Sequence, residues 1–553
     1  MKLSGAQIFV ECLKEHGVDT IFGYPGGVLL SIYDALYDAD IRHILTRHEQ
    51  GAVHAADGYA RATGKPGVCL ATSGPGATNL VTGIANAYMD SIPIVAFTGQ
   101  VTVGLLGRDS FQEADITGIT MPITKHNYLV KDVSELAVTI KEAFYIATTG
   151  RPGPVLVDIP KDVTTAAIEY QKPGSVNLPG YDPVTEPPLE QLTLVAEAIN
   201  ESARPIIYAG GGVVTSGAHN ELRQLAELLL APVTNTLMGL GSFPGDHPLF
   251  LGMLGMHGTK YANYAICEAD LIIAIGARFD DRVTGKLDTF AKGAKVVHID
   301  IDPAEIGKNV GVHYPVVGDV KVTLSKLLGL IKAKQPSEWQ TQIETWKKDY
   351  PLEFVDEGMK PQFVIREIDR LTRDRNVFIT TDVGQHQMWA AQYLTLARPR
   401  SFFTSGGLGT MGYGFPAALG VQAAYPGETV LGISGDGSFQ MNIQELATAV
   451  NYNLPVKIAI MNNGFLGMVR QWQDLFFDKR YSQTRLQGNP DFVKIAEAYG
   501  AVGMRITKRE EVAPALEEAL AIPKPVVMDF VVEQEENVFP MVPAGADLKD
   551  MLG

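Results

Sequence analysis

Residues 430–437 read Val-Leu-Gly-Ile-Ser-Gly-Asp-Gly, an apolar run that ends in an aspartate between two glycines. This pattern predicts a buried strand, a tight turn and the start of a helix, because glycine allows the close backbone approach that such a corner needs. A second apolar run, residues 456–460, leads into Met461-Asn462-Asn463 after one intervening helical stretch. The carboxyl ends of the two predicted parallel strands should therefore lie side by side.

The same alternation of strands and helices recurs along the chain. Apolar runs of strand length stand at residues 68–71, 93–97, 155–157, 206–208, 271–274 and 296–299. Strands that alternate with helices indicate parallel sheets covered on both faces. The predicted fold class is α/β, with doubly wound parallel sheets.

Two segments interrupt this rhythm and are interpreted as linkers. Residues 172–188 hold five prolines and two glycines, and residues 333–360 are polar. The predicted domains are therefore residues 1–170, 190–335 and 360–553, the last with a C-terminal tail. Glycine-rich turns follow strands at residues 71–76 and 432–437, so we expect the first and third domains to be duplicates of one fold. The alternative is that any strand–turn–helix corner selects glycine.

Composition excludes several classes of protein. The formal net charge is −16 and no Lys/Arg-rich block interrupts it, which argues against a nucleic-acid partner. No apolar run reaches the roughly 20 residues needed to cross a bilayer. Cys12, Cys69 and Cys267 are isolated, and the N-terminus carries no signal-type pattern, so we expect a cytoplasmic protein. The alternative is that a transit sequence was removed from a longer precursor.

Asp436 and Asn463 stand at the two adjacent strand ends and carry oxygen ligands of the kind that Mg²⁺ prefers. Magnesium usually takes one or two such protein groups together with substrate phosphates, and the glycines let backbone amides approach an anion. A metal-bound diphosphate is predicted here. The alternative for either motif alone is an ordinary turn, because Gly, Asp and Asn dominate turns.

The pairing of Gly435-Asp436-Gly437 with Asn462-Asn463 resembles the fingerprint of thiamine-diphosphate decarboxylases and synthases. The resemblance implies a third metal ligand, the carbonyl of Phe465, and a cofactor held between the third domain of one subunit and the first domain of another. Glu49, in Thr46-Arg47-His48-Glu49-Gln50-Gly51-Ala52, matches the family's glutamate that hydrogen-bonds the aminopyrimidine. Alone, Glu49 would be read as a plain residue of a first helical turn.

The whole chain is similar to the FAD-dependent biosynthetic acetohydroxyacid (acetolactate) synthases. The matching segments are residues 22–27, 72–79, 111–113, 125–128, 276–285, 383–389 and 467–472. In the middle domain, residues 278–282 (Arg-Phe-Asp-Asp-Arg) distinguish the family from its FAD-free catabolic relatives. The implied FAD contacts are Gly210, Gly211, Gly212, Leu254, Gly255, His257, Gly276, Arg278, Asp280, Arg282, Asp300 and Ile301. Residues 407–412 also satisfy a dinucleotide pattern but lack the following acidic residue, so they are assigned to thiamine.

The resemblance assigns roles in the reaction as well. Met411 would support the bent cofactor, Arg282 would bind the acceptor carboxylate, and Trp472 with Val383 would shape the acceptor pocket. Phe111, Gln112 and Lys125 would be contributed by the neighbouring subunit. The implied contacts to thiamine diphosphate are Val383, Gly384, Gln385, His386, Gly409, Met411, Gly435, Gly437, Ser438 and Met468.

The implied activity is decarboxylation of pyruvate on thiamine diphosphate and Mg²⁺, followed by transfer of the hydroxyethyl unit to a second 2-oxoacid. Pyruvate as acceptor gives 2-acetolactate and 2-oxobutyrate gives 2-aceto-2-hydroxybutyrate, both in branched-chain amino acid synthesis. FAD would be structural. A homodimer or homotetramer with shared sites, and possibly a small regulatory subunit, are expected partners.

Three other functions compete with this one. A related carboligase or oxidase, such as glyoxylate carboligase or pyruvate oxidase, would share the metal clamp, although glyoxylate carboligase characteristically lacks the residue represented by Glu49. A flavin or nicotinamide dehydrogenase would rest on the glycine-rich turns alone. A non-enzymatic relic of the fold would not need Glu49, Asp436 and Asn463 intact.

Overall fold

The computed structural model describes all residues, 1–553. Three six-stranded sheets, in which every neighbouring pair of strands is parallel, form three α/β domains. The predicted fold class is therefore confirmed. Central strands are buried on both faces, as the continuous burial of residues 94–100 shows.

The first domain contains eight strands, six of them in the main sheet. They are β1 (Lys2–Ser4), β2 (Thr20–Tyr24), β3 (Arg42–Leu45), β4 (Gly67–Ala71), β5 (Ile94–Gln100), β6 (His126–Leu129), β7 (Val155–Pro160) and β8 (Ala167–Glu169). The helices are α1 (Gly5–Glu15), α2 (Leu30–Tyr37), α3 (Glu49–Thr63), α4 (Pro75–Thr78), α5 (Val81–Asp90), α6 (Ile116–Thr120), α7 (Val133–Thr148) and α8 (Lys161–Thr165). The sheet order is β3-β2-β4-β5-β7-β6, and β1 pairs antiparallel with β8.

The middle domain has the strand order of dinucleotide-binding folds, β11-β10-β9-β12-β13-β14. Its strands are β9 (Pro205–Ala209), β10 (Val233–Asn235), β11 (Phe250–Met253), β12 (Leu271–Ile275), β13 (Lys295–Asp300) and β14 (Tyr314–Val317). The helices are α9 (Leu189–Glu201), α10 (Gly211–Ser216), α11 (His219–Leu229), α12 (Lys260–Glu268), α13 (Asp281–Thr284), α14 (Val320–Leu328) and α15 (Glu338–Asp349). The order of the strands in the sheet changes direction between β9 and β12, and sheets of this type bind ligands at that point.

Helix α15 lies inside residues 333–360, which the sequence indicated as a linker. Trp339 and Ile343 on this helix are buried in the core of the middle domain. The indole nitrogen of Trp339 donates a hydrogen bond to the carbonyl of Pro205 at 3.0 Å. The polar composition of the segment hid a short amphipathic helix that extends the middle domain beyond residue 335.

The third domain repeats the topology of the first, with sheet order β16-β15-β17-β18-β20-β19. Its strands are β15 (Val377–Thr381), β16 (Phe402–Phe403), β17 (Thr429–Gly435), β18 (Lys457–Asn462), β19 (Val502–Ile506) and β20 (Val526–Val531). The helices are α16 (Pro361–Thr372), α17 (Gln385–Tyr393), α18 (Gly414–Ala424), α19 (Asp436–Phe439), α20 (Leu446–Asn451), α21 (Gly467–Phe476), α22 (Phe492–Tyr499) and α23 (Val512–Ala521). In both sheets the fourth strand in sequence lies beside the third and the sixth, which supports the expected duplication.

Helix α3 of the first domain packs against helix α18 of the third with no room for side chains at two points. A Cβ atom at Gly58 would lie 2.2 Å from the carbonyl oxygen of Ala417, and one at Gly420 would lie 1.8 Å from that of Ala55. The two backbones therefore touch directly, and glycine is required at both positions. This contact joins the first and third domains within one chain.

The C-terminal tail crosses from the third domain to the middle domain. The amide of Val542 donates to the carbonyl of Met256 at 2.8 Å, and Val542 and Leu548 are buried in the core of the middle domain. Met541 and Leu552 form an antiparallel bridge. None of the helices combines the length and the apolar character that crossing a membrane would require.

Candidate active site

The site begins where strands β17 and β18 end side by side, with Gly435 opposite Met461 in register. Asp436 follows β17, is almost fully buried, and accepts hydrogen bonds from the amide of Gly464 at 3.0 Å and from Asn489 Nδ2 at 2.6 Å. Burial raises the pKa of Asp436 to about 6, so a cation beside this carboxylate would stabilise its charged form.

Asn463 follows β18 and is oriented by two neighbours. Its Oδ1 accepts from the amide of Phe465 at 3.1 Å, and its Nδ2 donates to Gln385 Oε1 at 3.3 Å. The carboxylate, the side-chain amide and the nearby carbonyl of Phe465 form an all-oxygen donor set. The structure holds no group of three or more His, Cys, Asp or Glu side chains that could bind a metal by itself. Three protein oxygens leave places in an octahedral Mg²⁺ shell for oxygens of water or of a phosphate.

A narrow cavity of about 60 Å³ lies over this pair of strand ends. His386 contributes a buried Nε2 that has no hydrogen-bond partner, and burial lowers the pKa of this histidine to about 3. A Cβ atom at Gly435 would lie 3.0 Å from His386, and one at Gly467 would lie 2.2 Å from Gln385 Oε1. Glycine at these two positions therefore lets His386 and Gln385 pack directly against the backbone at the strand ends. The oxygen donor set and the unpartnered His386 Nε2 fit a magnesium-bound diphosphate.

A much larger cavity, of about 1080 Å³, lies where the three domains meet. In the middle domain it begins at the ends of β9 and β12, where Gly212 and Gly276 approach so closely that a Cβ at Gly212 would lie 2.7 Å from Gly276 Cα. Asp300, at the end of β13, also lines it, and burial raises the pKa of this carboxyl to about 6. A long cavity with a glycine cradle and an acidic group at strand ends fits a dinucleotide such as FAD.

Most of the residues predicted to contact FAD line this cavity. They are Gly211, Gly212, Leu254, His257, Gly276, Arg278, Asp280, Arg282, Asp300 and Ile301. Gly210 and Gly255 do not line it but allow close backbone contacts behind it. A Cβ at Gly210 would lie 2.1 Å from the carbonyl oxygen of Gly276, and one at Gly255 would lie 2.4 Å from that of Arg282.

The two cavities meet at a shared wall. Val383, Gly384, Met411, Met468 and Val469 line both of them. Met411 therefore stands at the junction between the diphosphate cradle and the larger cavity, the place expected for a support under a bent cofactor. The other predicted contacts in the narrow cavity are Gln385, His386, Gly435, Gly437 and Ser438, and Gly409 lines the larger one.

Arg282 and Trp472 are brought together at this junction although they are far apart in sequence. The guanidinium carbon of Arg282 lies 5.7 Å from the centroid of the Trp472 ring, and both side chains line the larger cavity. Arg282 is more than half exposed, so its charge is accessible to an incoming anion. The pair offers a cation next to an apolar wall.

Four predicted residues of the first domain line neither cavity. They are Glu49, Phe111, Gln112 and Lys125. Glu49 is buried at the start of α3, where Asn79 Nδ2 donates to its Oε2 at 2.9 Å, whereas Phe111 is 88% exposed. Lys125 Nζ donates to the carbonyls of Ile146 and Thr149, an arrangement that closes the C-terminal end of α7, and burial lowers the pKa of this lysine to about 8.

Glu445, which no sequence motif indicated, supports the turn before Glu49. Glu445 is fully buried, and its Oε1 accepts hydrogen bonds from the amides of Arg47 at 2.9 Å and His48 at 3.1 Å. Burial raises the pKa of this carboxyl to about 7. Asp90, Ser91 and Arg151 of the first domain were likewise not predicted, and they line the larger cavity. None of these residues stands in a motif, so only the fold reveals them.

Three segments of the chain match known domain families. Residues 3–119 match the N-terminal TPP binding domain of thiamine pyrophosphate enzymes, residues 192–327 match their central domain and residues 382–530 match their C-terminal TPP binding domain. The chain is 52% identical to a probable acetolactate synthase large subunit of Methanocaldococcus jannaschii, over 100% of this chain and 95% of the relative. It is 51% identical to an acetolactate synthase large subunit of Corynebacterium glutamicum, over 100% and 90%. It is 52% identical to an acetolactate synthase of Mycobacterium bovis, over 98% and 90%.

Proposed function

This chain belongs to the acetolactate synthase large subunits, a family of thiamine pyrophosphate enzymes, and we propose that it joins two 2-oxoacids with loss of CO₂. Pyruvate is the proposed donor, and a second pyruvate or 2-oxobutyrate is the proposed acceptor. The products would be 2-acetolactate and 2-aceto-2-hydroxybutyrate, precursors of branched-chain amino acids. The observation that carries the proposal is the junction of the two cavities at Met411, with Arg282 and Trp472 beside it.

Three cofactors are proposed for the two cavities. Asp436, Asn463 and the carbonyl of Phe465 would hold Mg²⁺ and, through it, the diphosphate of thiamine diphosphate. When bound, this cofactor supplies the electron sink for breaking and forming carbon–carbon bonds. FAD is proposed for the larger cavity in a structural role, because joining two 2-oxoacids involves no net oxidation or reduction.

The residues of this chain would bind and orient the cofactors and substrates and would move protons. His386 is neutral at physiological pH because burial lowers its pKa to about 3, so it can hydrogen-bond a ligand without adding charge. Asn79 orients the Glu49 carboxylate, which we propose exchanges a proton with the aminopyrimidine ring of the cofactor bound by a partner subunit. Val383 and Met468, on the shared wall, would exclude water from the reacting carbon.

The acceptor is proposed to enter between Arg282 and Trp472. A guanidinium binds a carboxylate with two parallel hydrogen bonds, and the adjacent indole gives an apolar surface for the alkyl group of the acceptor. One methylene of difference between pyruvate and 2-oxobutyrate is worth about 1–3 kcal/mol in such a pocket. Phe111, Gln112 and Lys125 are proposed to complete the entrance from the neighbouring subunit.

Assembly is part of the proposal because each chain carries only complementary halves of a site. Glu49 lines neither cavity of its own chain, so we propose a homodimer or homotetramer in which it reaches the cofactor of another subunit. A small subunit is a further proposed partner, since the relatives are named large subunits. All three cysteines are free, which supports the proposed cytoplasmic location.

The purified chain assayed with pyruvate tests this function directly. We expect 2-acetolactate and CO₂ only when thiamine diphosphate and Mg²⁺ are present. Removal of FAD should abolish activity, although the reaction itself should consume no oxygen. Hydrogen peroxide together with acetate or acetyl phosphate would instead identify a pyruvate oxidase. Hydride transfer to a nicotinamide without thiamine diphosphate would identify a dehydrogenase.

Replacing Arg282 with glutamine tests the proposed acceptor site. Loss of a charge-assisted bidentate contact should raise the KM for the acceptor 2-oxoacid by about 10-fold to 100-fold, with a smaller effect on cofactor affinity. Initial rates of 2-aceto-2-hydroxybutyrate formation, at fixed pyruvate and increasing 2-oxobutyrate, measure this KM. Arg223→Gln is the matched control, because Arg223 is exposed and pairs only with Glu227 at 2.8 Å. An unchanged KM in the Arg282 variant would rule out this acceptor site.

A further inference from the structure

Residues 405–412 form a loop between the two cavities, here called the junction loop. Ser405, Gly409 and Met411 line the larger cavity, and Met411 also lines the narrow one. The end of the loop is held by Asp382 of the same domain, whose Oδ1 accepts from the amide of Gly412 at 2.8 Å. The position of the Met411 side chain therefore depends on how both ends of the loop are fixed.

The beginning of the junction loop is held by Asp90, the last residue of α5 in the first domain. Its Oδ1 accepts from the amide of Gly407 at 2.7 Å, and its Oδ2 accepts from the amide of Gly406 at 3.2 Å. The side chain of Asp90 is fully buried and forms an ion pair with Arg61, whose guanidinium lies 2.8 Å from Oδ2 and also pairs with Asp57. A Cβ at Gly407 would lie 2.9 Å from Asp90 Oδ1, so this approach requires glycine.

Asn86, one turn earlier on α5, makes a second attachment. Ser405 Oγ donates to Asn86 Oδ1 at 2.5 Å and accepts from the amide of Thr410 at 2.8 Å. Thr410 Oγ1 also lies 3.3 Å from Asn86 Oδ1. The amide of the residue directly before Met411 is thus fixed through a side chain of another domain.

The attachments made by Asp90 and Asn86 differ from the other contacts between the first and third domains, because they hold the junction loop. Asp57, which binds Arg61 at 2.5 Å, also accepts from Tyr413 Oη at 2.8 Å and so ties the rigid start of α18 to α3. Asp90 and Asn86 instead bind atoms of the loop itself, including Ser405, Gly406 and Gly407, which line the larger cavity. Loss of Asp90 would release the amides of Gly406 and Gly407 while leaving the backbone contact between α3 and α18 in place.

We propose that Asp90, assisted by Asn86, is a positioning residue that fixes the junction loop in the conformation that both cofactors require. This inference rests on the proposed function, because it takes thiamine diphosphate and FAD as the two ligands. Since one loop borders both cavities, each cofactor strengthens binding of the other, and the size of that linkage depends on Asp90.

The test is the affinity of the purified apoprotein for each cofactor, without any assay of turnover. FAD binding is followed by flavin fluorescence, and binding of thiamine diphosphate with Mg²⁺ by tryptophan fluorescence, each with and without the other cofactor. Asp90→Asn keeps the shape of the side chain but replaces a carboxylate oxygen with an NH₂ group. The carboxylate accepts from three donors, the amides of Gly406 and Gly407 and the guanidinium of Arg61. We expect both dissociation constants to rise by about tenfold or more and the linkage between them to disappear.

Asp369→Asn is the matched control, because Asp369 is also buried and charged. It pairs with Arg373 at 2.6 Å and accepts from the amide of Thr395 at 2.7 Å, but it lines neither cavity. We expect a lower unfolding temperature in this variant with unchanged cofactor affinities. Equal losses of affinity in both variants would show that Asp90 acts only through general stability and would overturn the proposal.

Ser405→Ala decides the question if Asp90→Asn does not fold. It removes the link from Asn86 to the amide of Thr410 and leaves the ion pair of Asp90 with Arg61 intact. We expect weaker binding of both cofactors, by about threefold to tenfold. Affinities equal to those of the wild type would overturn the positioning role, whereas a wild-type chain that binds neither cofactor would overturn the proposed function instead.

Discussion

Replacing Asp436 with alanine should abolish magnesium-dependent binding of thiamine diphosphate and, with it, formation of acetolactate. Asp436 is the one carboxylate of the donor set, and its other members, Asn463 and the carbonyl of Phe465, are neutral. The change also leaves the amide of Gly464 and the side chain of Asn489 without their acceptor. Because even outer partners of metal ligands are worth about 10-fold to 100-fold in affinity, we expect a loss of more than about 100-fold.

Titration of the apoprotein with thiamine diphosphate at fixed Mg²⁺ measures this loss. FAD affinity should change less, because Asp436 lines only the narrow cavity. Asp491→Ala is a suitable control in the same domain. It removes the cap of α22 and an ion pair with Arg505 at 2.7 Å, so it should lower the unfolding temperature slightly and leave cofactor affinity unchanged. Full activity in the Asp436 variant would refute the metal assignment.

Replacing Glu49 with glutamine should leave both cofactors bound but lower kcat by about 100-fold to 10,000-fold, the range that a positioned general acid–base contributes. Glutamine retains an acceptor for Asn79, which lies 2.9 Å from Oε2, but it cannot exchange the proton. Exchange of the thiazolium C2 proton with deuterated water gives a second measurement. Glu11→Gln, at an exposed site paired with Lys14, is the control and should have no effect.

Mixing the Glu49→Gln and Asp436→Ala variants tests whether the site is shared. If Glu49 of one subunit serves Asp436 of another, half of the sites in a mixed dimer are intact. Random reassortment should then restore about a quarter of wild-type activity from two inactive proteins. No recovery after subunit exchange would place both residues in one chain's site.

The sequence was sufficient to predict that Asp436 and Asn463 follow two adjacent strands. Asp436 and Asn463 flank a single strand–helix–strand unit, and the register of β17 with β18 follows from that unit. The pairing of Arg282 with Trp472 could be expected only through the resemblance, because no local pattern links them. Asp90 and Glu445 could not be predicted at all, since they act on loops more than 300 residues away in the chain. What marks these two residues is that their side chains are buried, and the sequence gives no indication of this because acidic residues are usually exposed.

The contact between α3 and α18 also has a consequence for synthesis of the chain. The face of α3 that carries Gly58 emerges from the ribosome long before Gly420, its partner on α18. At about 5–20 residues per second, this interval lasts on the order of tens of seconds. During that time the nascent first domain exposes a smooth, alanine-rich and glycine-rich helical surface. Slower translation prolongs that exposure, so the yield of native protein should depend on chaperones that shield the surface until the third domain arrives.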